Sequence, residues 1–362
     1  MNDNIFGKEI GYDAPSSYQV WLKTESIPVI RGYFIDDLRT VSVEPWDRMG
    51  GKGVWIELEG TGDSNNAYVC EILPGGSLKP QRGLFEELIY VVSGRGTTTV
   101  WNEGSSKHII EWGEGSLFSP PLNTWHQHFN IQGDKPARLF VVTDLPLMMN
   151  LFHNLDFIFN NKYVFTDRYA GEEDYFKREV KTHMSGRALE TNFVPDVKAF
   201  KGLTYNPERG GGGSTVHFLL SENTMTAHIS EFAVGTYKKG HRHGPGAHVI
   251  ILNGKGYSLM WKEGEPWQKI DWHEGSVFVP PNQWFHQHFN TGREPARYLA
   301  LRWGSAKYPS GNVFQFDSAQ RRSVKEGGDQ IEYEDEDPEI RRLFEAELAK
   351  EGLTSKMKPR LL

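Results

Sequence analysis

Cysteine is all but missing from this chain: Cys70 stands alone among 362 residues. A single thiol forms no intrachain disulfide and builds no thiolate cluster for a metal. It reads as a small buried residue in a strand. Long apolar runs are missing too, with nothing near the ~18 residues of a spanning helix. Met1-Asn2-Asp3-Asn4 lacks the basic start and apolar stretch of a secretory leader. Excess positive charge is also absent. The 47 acidic residues outnumber the 40 basic ones and leave a net charge of −7, which argues against nucleic acid or a membrane surface as a partner. No DNA-binding motif or basic stripe stands out. The expectation is a cytoplasmic protein that handles a small molecule.

What is abundant points to β structure. The chain holds 38 Gly, 19 Pro, 11 Trp, 14 Tyr and 21 Phe, a composition suited to short strands joined by turns. Val54-Trp55-Ile56-Glu57-Leu58, Ala67 to Leu73, Leu88 to Val92, Thr97 to Trp101 and Arg138 to Val142 are turn-bounded runs of β-formers. The same unit then returns. Trp101-Asn102-Glu103-Gly104 matches Trp261-Lys262-Glu263-Gly264, and Glu114-Gly115-Ser116 matches Glu274-Gly275-Ser276. His126-Gln127-His128-Phe129-Asn130 matches His286-Gln287-His288-Phe289-Asn290, each pair at an offset of 160 residues. One ungapped offset over that span predicts a duplicated all-β domain. The expected division is an arm (1–50), a first barrel (51–145), a linker with a helix (146–195), a second barrel (196–305) and a tail with a helix (306–362).

In the linker, Leu147, Met148, Leu151, Phe152 and Leu155 recur at helical spacing and predict a core helix. In the tail, Asp337 reads as an N-cap and Pro338 as the first helical residue. Ile340, Leu343, Phe344 and Leu348 form an apolar stripe, and Gly352 follows the end. The acidic run from Glu332 to Asp337 reads as solvated.

The chemistry-bearing pattern is His241-Arg242-His243 with His286 on a later strand. Side chains alternate along a strand, so His241 and His243 share a face that Arg242 does not. Three neutral imidazoles leave positions open on a divalent metal and suit Fe, Zn, Cu or Ni. The alternative is three ordinary interior histidines. Tyr237, Tyr257, Trp261, Gln283, Trp284 and Arg302 are candidate pocket groups around them.

These spacings resemble the two motifs of the cupin superfamily. The second motif is met twice, by Gly115, Pro121, His126 and Asn130 and by Gly275, Pro281, His286 and Asn290, with Asn123 and Gln283 where its turn glycine usually stands. Most of the first motif is met by Gly235, His241, His243 and Gly254. The resemblance implies a bicupin, two jelly-roll (double-stranded β-helix) barrels in one chain. Its glutamate ligand is replaced: counting back from Gly254 the position falls on Ala247, and counting forward from His243 it falls on His248. A one-residue slip turns a strand side chain to the other face, so the first count is favoured and His248 is the alternative fourth ligand. At the first barrel's ligand positions stand Gln81, Gly83, Glu87 and His126, and no transition metal is expected there.

A small residue in place of the glutamate is similar to gentisate 1,2-dioxygenase and its salicylate- and hydroxynaphthoate-cleaving relatives, as is an aromatic-His-x-His ending. The resemblance implies Fe(II) held by His241, His243 and His286, with Zn, Ni or Mn as alternatives, and O2-dependent oxidation of a small aromatic substrate. It gives His288 a catalytic contact with substrate. Of the pocket candidates, Tyr237, Gln283, Trp284 and Arg302 are the expected substrate-binding groups. The family's carboxylate-binding arginine, two residues after Ala247, is replaced by Val249, and Arg302 is the candidate substitute. Competing readings are a redox-neutral lyase, isomerase or decarboxylase, or a non-enzymatic small-molecule binder. A homodimer or homotetramer is expected.

Overall fold

The computed structural model describes residues 5–61, 63–244, 246–309 and 321–358. Two sets of eight strands dominate it. The first set is β1 (Gly51–Leu58), β2 (Asn66–Ile72), β3 (Glu87–Ser93), β4 (Arg95–Trp101), β5 (His108–Gly113), β6 (Leu117–Phe118), β7 (Trp125–Asn130) and β8 (Ala137–Thr143). The second is β9 (Ser214–Leu219), β10 (Met225–Phe232), β11 (His248–Asn253), β12 (Lys255–Trp261), β13 (Gln268–His273), β14 (Val277–Phe278), β15 (Phe285–Asn290) and β16 (Ala296–Trp303). In each set five strands make a larger sheet, ordered β1-β2-β8-β3-β6 and β9-β10-β16-β11-β14. Three make a smaller one, ordered β5-β4-β7 and β13-β12-β15. The same strand order twice is the all-β double jelly roll that the 160-residue repeat predicts.

Alternation along the strands builds two kinds of core. One face of each larger sheet joins a shared apolar core, with Ile56, Val69, Leu88 and Phe140 from the first half and Phe218, Ile229, Leu299 and Leu301 from the second. Each such side chain is worth about 1.5–3 kcal/mol when fully buried, so the two halves are held together by apolar packing. The opposite faces line the two barrel interiors. Trp55, Tyr68, Ile89, Leu139 and Val141 fill the first, while Ala247, Val249, Tyr298 and Ala300 line the second.

The arm is not a separate piece. Val29–Gly32 runs parallel to β1 of the first barrel, while Phe34–Ile35 crosses to pair with β14 of the second. The linker mirrors this: Ala188–Glu190 runs parallel to β9, and Phe193–Val194 crosses to β6 of the first barrel. Gly115 and Gly275, both at positive φ, receive the crossing segments. A Cβ there would stand 2.5 Å from Asp196 Oδ1 and from Asp37 Oδ1 respectively. Each half thus carries a strap over the other, contributed by the segments at 29–35 and 188–194.

Two expectations are corrected. The linker helix forms over Leu145–Phe152, but its buried residues are Leu145, Pro146 and Met149, while Leu151 and Phe152 of the expected stripe are exposed. The helix starts at Leu145, with Pro146 in its first turn, and ends at Phe152, so Leu155 falls in a second short helix, Leu155–Phe159, and the expected stripe does not lie on one helix. The acidic run is not wholly solvated: Glu336 is buried and accepts hydrogen bonds from the Tyr237 hydroxyl and Gln287 Nε2. The tail helix forms as read, over Pro338–Lys350. The Asp337 carboxylate caps it by accepting from the Glu339 N–H, and Ile340, Phe344 and Leu348 are buried against the smaller sheet of the second barrel. Cys70 is buried in β2, and that burial pushes its thiol well up.

Candidate metal centre

The segment from Tyr237 to His241 lies antiparallel along β15. His241 and His286 form a bridge pair, with His241 N–H donating to the His286 carbonyl at 3.1 Å and the reverse bond at 2.8 Å. Their rings are 4.3 Å apart. His243, two residues on and on the same face, lies 4.7 Å from His286 ring to ring. Arg242 turns away to pair with Asp329 and Glu263, as strand alternation requires. The ligand atoms of the three histidines lie within 4.8 Å of one another, the one such cluster among the described residues.

The donor set fits a divalent transition metal. His241 Nδ1–H donates to the Lys239 carbonyl at 3.1 Å, and His286 Nδ1–H donates to the Trp284 carbonyl at 3.2 Å. A carbonyl only accepts, so these bonds fix the tautomer that leaves each Nε2 lone pair for a metal. Burial pushes all three imidazoles down, His286 to about 4. They are therefore neutral, the state that binds metal.

The cluster opens on a cavity of about 120 Å³ inside the second barrel. That is of the order of the ~150 Å³ cavity that accepts a benzene ring. The larger sheet contributes Thr215 and His217 from β9, His228 and Ser230 from β10, Val249 from β11, and Tyr298, Ala300 and Arg302 from β16. Arg209, Lys238 and Arg321 complete a cationic wall, and no carboxylate lines the cavity among the described residues. Burial pulls the Arg209 and Arg302 guanidiniums down to about 10 each. Both remain charged at neutral pH. Arg321 pairs with Glu208 at 2.8 Å.

Of the residues singled out in the sequence, His288 and Arg302 line this cavity. His288 Nδ1 lies 2.8 Å from Ser258 Oγ, which accepts from Trp272 Nε1 at 3.0 Å. Tyr237 does not line it. Its ring packs against Phe289 and Phe344, and its hydroxyl donates to Glu336 on the far side of the smaller sheet. Gln283 and Trp284 are also outside the lining, and Trp284 stacks toward Tyr33 of the arm. Ala247 occupies the missing glutamate's position and lines the cavity. His248, one residue on, is buried on the opposite face, where its Nδ1 meets Asn65 Nδ2 of the first half at 3.2 Å. It is 5.9 Å from the Phe140 ring, so it is not placed to be a fourth ligand. His217, His228, Lys238, Tyr298, Arg209 and Arg321 were missed by the sequence reading.

The first barrel shows the same positions closed. His126 Nε2 lies 3.3 Å from Glu87, which also accepts from the Tyr68 hydroxyl at 2.6 Å. Gln81 turns its amide to the Arg48 carbonyl. Trp55 and Tyr68, edge to face at 5.0 Å, fill the space that His217 and His228 line in the second barrel.

Comparison with known proteins bears on this arrangement. The sequence model of the cupin domain matches residues 68–143. The 5-aminosalicylate 1,2-dioxygenase of Comamonas sp is 38% identical over 78 residues, which is 22% of this chain and 19% of that protein. The chain thus matches about a fifth of that relative's length. Among solved structures, variants of Bacillus subtilis oxalate decarboxylase OxdC superpose at a TM-score of 0.49 with 14–15% identity. The two overlays cover 76% and 78% of this chain, and 78% and 79% of the other.

Proposed function

We propose that the chain is a bicupin, as its repeated jelly roll and the cupin-domain match over residues 68–143 support, and that its second barrel is an Fe(II)-dependent dioxygenase centre. Its substrate in this reading is a small aromatic carboxylic acid, and the first barrel is a closed structural partner. The observation that carries this is the pairing of a three-histidine, carboxylate-free donor set with a cavity whose lining, among the described residues, carries Arg209, Lys238, Arg302 and Arg321 and no carboxylate. Three neutral ligands leave both charges of a divalent ion uncompensated, which favours an anionic substrate at the metal. The similarity to a salicylate-type dioxygenase over 78 residues supports a ring-bearing acid.

Iron held by His241, His243 and His286 would supply redox contact between the substrate and O2. The chain's own residues do the rest. Arg302 and Arg209 receive the carboxylate and set the ring's orientation. Ala247, Val249 and Ala300 are small enough to leave room for the ring and apolar enough to exclude water beside it. His288, backed by Ser258 and Trp272, offers a polar edge to the substrate. The test is oxygen uptake by Fe(II)-loaded protein on a panel of hydroxybenzoates and aminosalicylates. Uptake dependent on His286 is expected; iron bound at one per chain with no uptake on any member would overturn the proposal.

A further inference from the structure

Lys238 and Tyr298 are both buried and both line the cavity. Lys238 Nζ donates to the Tyr298 hydroxyl oxygen at 3.1 Å and to Ser230 Oγ. The first barrel supplies the control. Lys238 N–H donates to the His288 carbonyl as Leu78 N–H donates to that of His128. Tyr298 faces Ser230 in the β16–β10 register as Leu139 faces Cys70 in β8–β2. The scaffold therefore packs this corner with Leu78, Leu139 and Cys70 in one half and with Lys238, Tyr298 and Ser230 in the other. An ammonium and a phenol are a costly way to fill space that leucine fills.

We propose that Tyr298, held by Lys238, is the group that takes the proton from the substrate's ring hydroxyl as the substrate docks. This rests on the dioxygenase reading and names a residue of that same site. The step runs from the ionised form of Tyr298: the substrate's O–H bond breaks, the proton forms an O–H bond on the Tyr298 oxygen, and the substrate keeps the electron pair as an oxyanion. Lys238 Nζ donates to the same oxygen and takes no part in the transfer, and no atom changes oxidation state. Burial alone would raise the Tyr298 phenol, yet Lys238, with Ser230 and the more distant Arg209, outweighs it and holds the group below the ordinary tyrosine value. The other titratable neighbours are His228 on β10, 6.0 Å ring to ring, and His288 on β15, 5.5 Å. Burial keeps both imidazoles neutral.

The experiment is ultraviolet titration of tyrosinate in the metal-free full chain, which needs no turnover and so fails or succeeds apart from the dioxygenase assay. One tyrosine in the wild type is expected to ionise below the main group. That early step should be absent in Tyr298→Phe and displaced upward in Lys238→Met. The double variant Lys238→Leu with Tyr298→Leu, which copies the first barrel, should fold and also lack the step. In the metal-loaded protein, proton release to solvent on binding salicylate should rise by about one per site in Tyr298→Phe, because the released proton loses its acceptor. An early step that survives in Tyr298→Phe, or proton release identical in both proteins, would overturn the assignment.

Discussion

Replacing Arg302 by methionine should make the metal-free protein more stable and its anion binding worse. Arg302 is 7% exposed at the end of β16, in the register position that Thr143 holds in the first barrel. Burial, with Arg209 nearby, takes its guanidinium from 12.5 to about 10. At about 1.36 kcal/mol per pH unit, that depression means the charge costs the fold about 3 kcal/mol. The sign follows from linkage: the unfolded chain holds this proton more tightly. The cost is therefore present in full below pH ~10 and fades as pH rises toward 12.5. Methionine keeps the stem volume and removes the charge. The hydrogen bonds that the guanidinium makes are lost with it, so the net gain should be about 1–3 kcal/mol, a few degrees in Tm for a chain of this size. Arg302→Lys keeps the charge and should gain nothing. Thermal unfolding in chelator at pH 7 reads the first effect. Isothermal titration of salicylate into zinc-loaded protein reads the second, where loss of a charged hydrogen-bond partner worth about 1.5–3 kcal/mol predicts a tenfold or greater weakening. A methionine variant that melts below the wild type, or that binds salicylate unchanged, would refute the account of Arg302 as a buried charge that an anionic substrate contacts.

Alanine at His241, His243 or His286 should each take bound metal from about one per chain to near zero by elemental analysis, while His126→Ala in the first barrel should leave it unchanged. The metal-free chain should also unfold readily in acid. His128, His217, His228, His241, His243, His248, His286 and His288 are all pushed down by burial, His217 and His248 to about 3. Each stays neutral when folded and takes up a proton on unfolding below its ordinary pKa of about 6.5, so stability present above that pH is lost as pH falls toward 4. The loss is up to about 1.4 kcal/mol per pH unit per group. Urea midpoints measured from pH 7 to 4 check this, and a flat profile would count against the buried neutral imidazoles.

The fold was legible because a fixed offset repeats, and repetition survives where single-residue propensities are ambiguous. His241, His243 and His286 were legible because alternation puts i and i+2 on one face, and the same rule placed Ala247 inward and His248 outward. The rest of the cavity was hidden by arithmetic and irregularity. The offset between equivalent residues slips from 162 (Trp55 to His217) to 160 (Tyr68 to His228) to 159 (Leu139 to Tyr298). An ungapped comparison therefore misaligns the first and last strands, where most of the polar replacements lie. Lys238 and His241 both face the cavity although they are three positions apart, so the segment is not a regular strand there. Counting by twos back from His241 then selects Tyr237, which faces the tail helix, and passes over Lys238.

With the halves aligned by register, one group of differences opens the second interior. Trp55, Tyr68, Val141 and Glu87 of the first barrel stand opposite His217, His228, Ala300 and Ala247 of the second. Each change removes volume or closure from the interior, while the shared core between the halves stays apolar on both sides. Truncating buried aromatics to smaller side chains costs roughly 3–5 kcal/mol apiece in an ordinary core. A hollow barrel therefore has to be held from outside its own interior. The structure provides three such supports: the closed first barrel across the common core, the crossing strap at Phe34–Ile35, and the tail helix whose Ile340, Phe344 and Leu348 clamp the smaller sheet behind β15. The clamp reaches the metal ligands by a short route. Glu336, just ahead of that helix, accepts from Gln287, which sits between His286 and His288 and donates also to the Lys238 carbonyl. The elements that look peripheral in the sequence are thus the ones that let the second interior be empty enough to hold a substrate while its histidines stay in register.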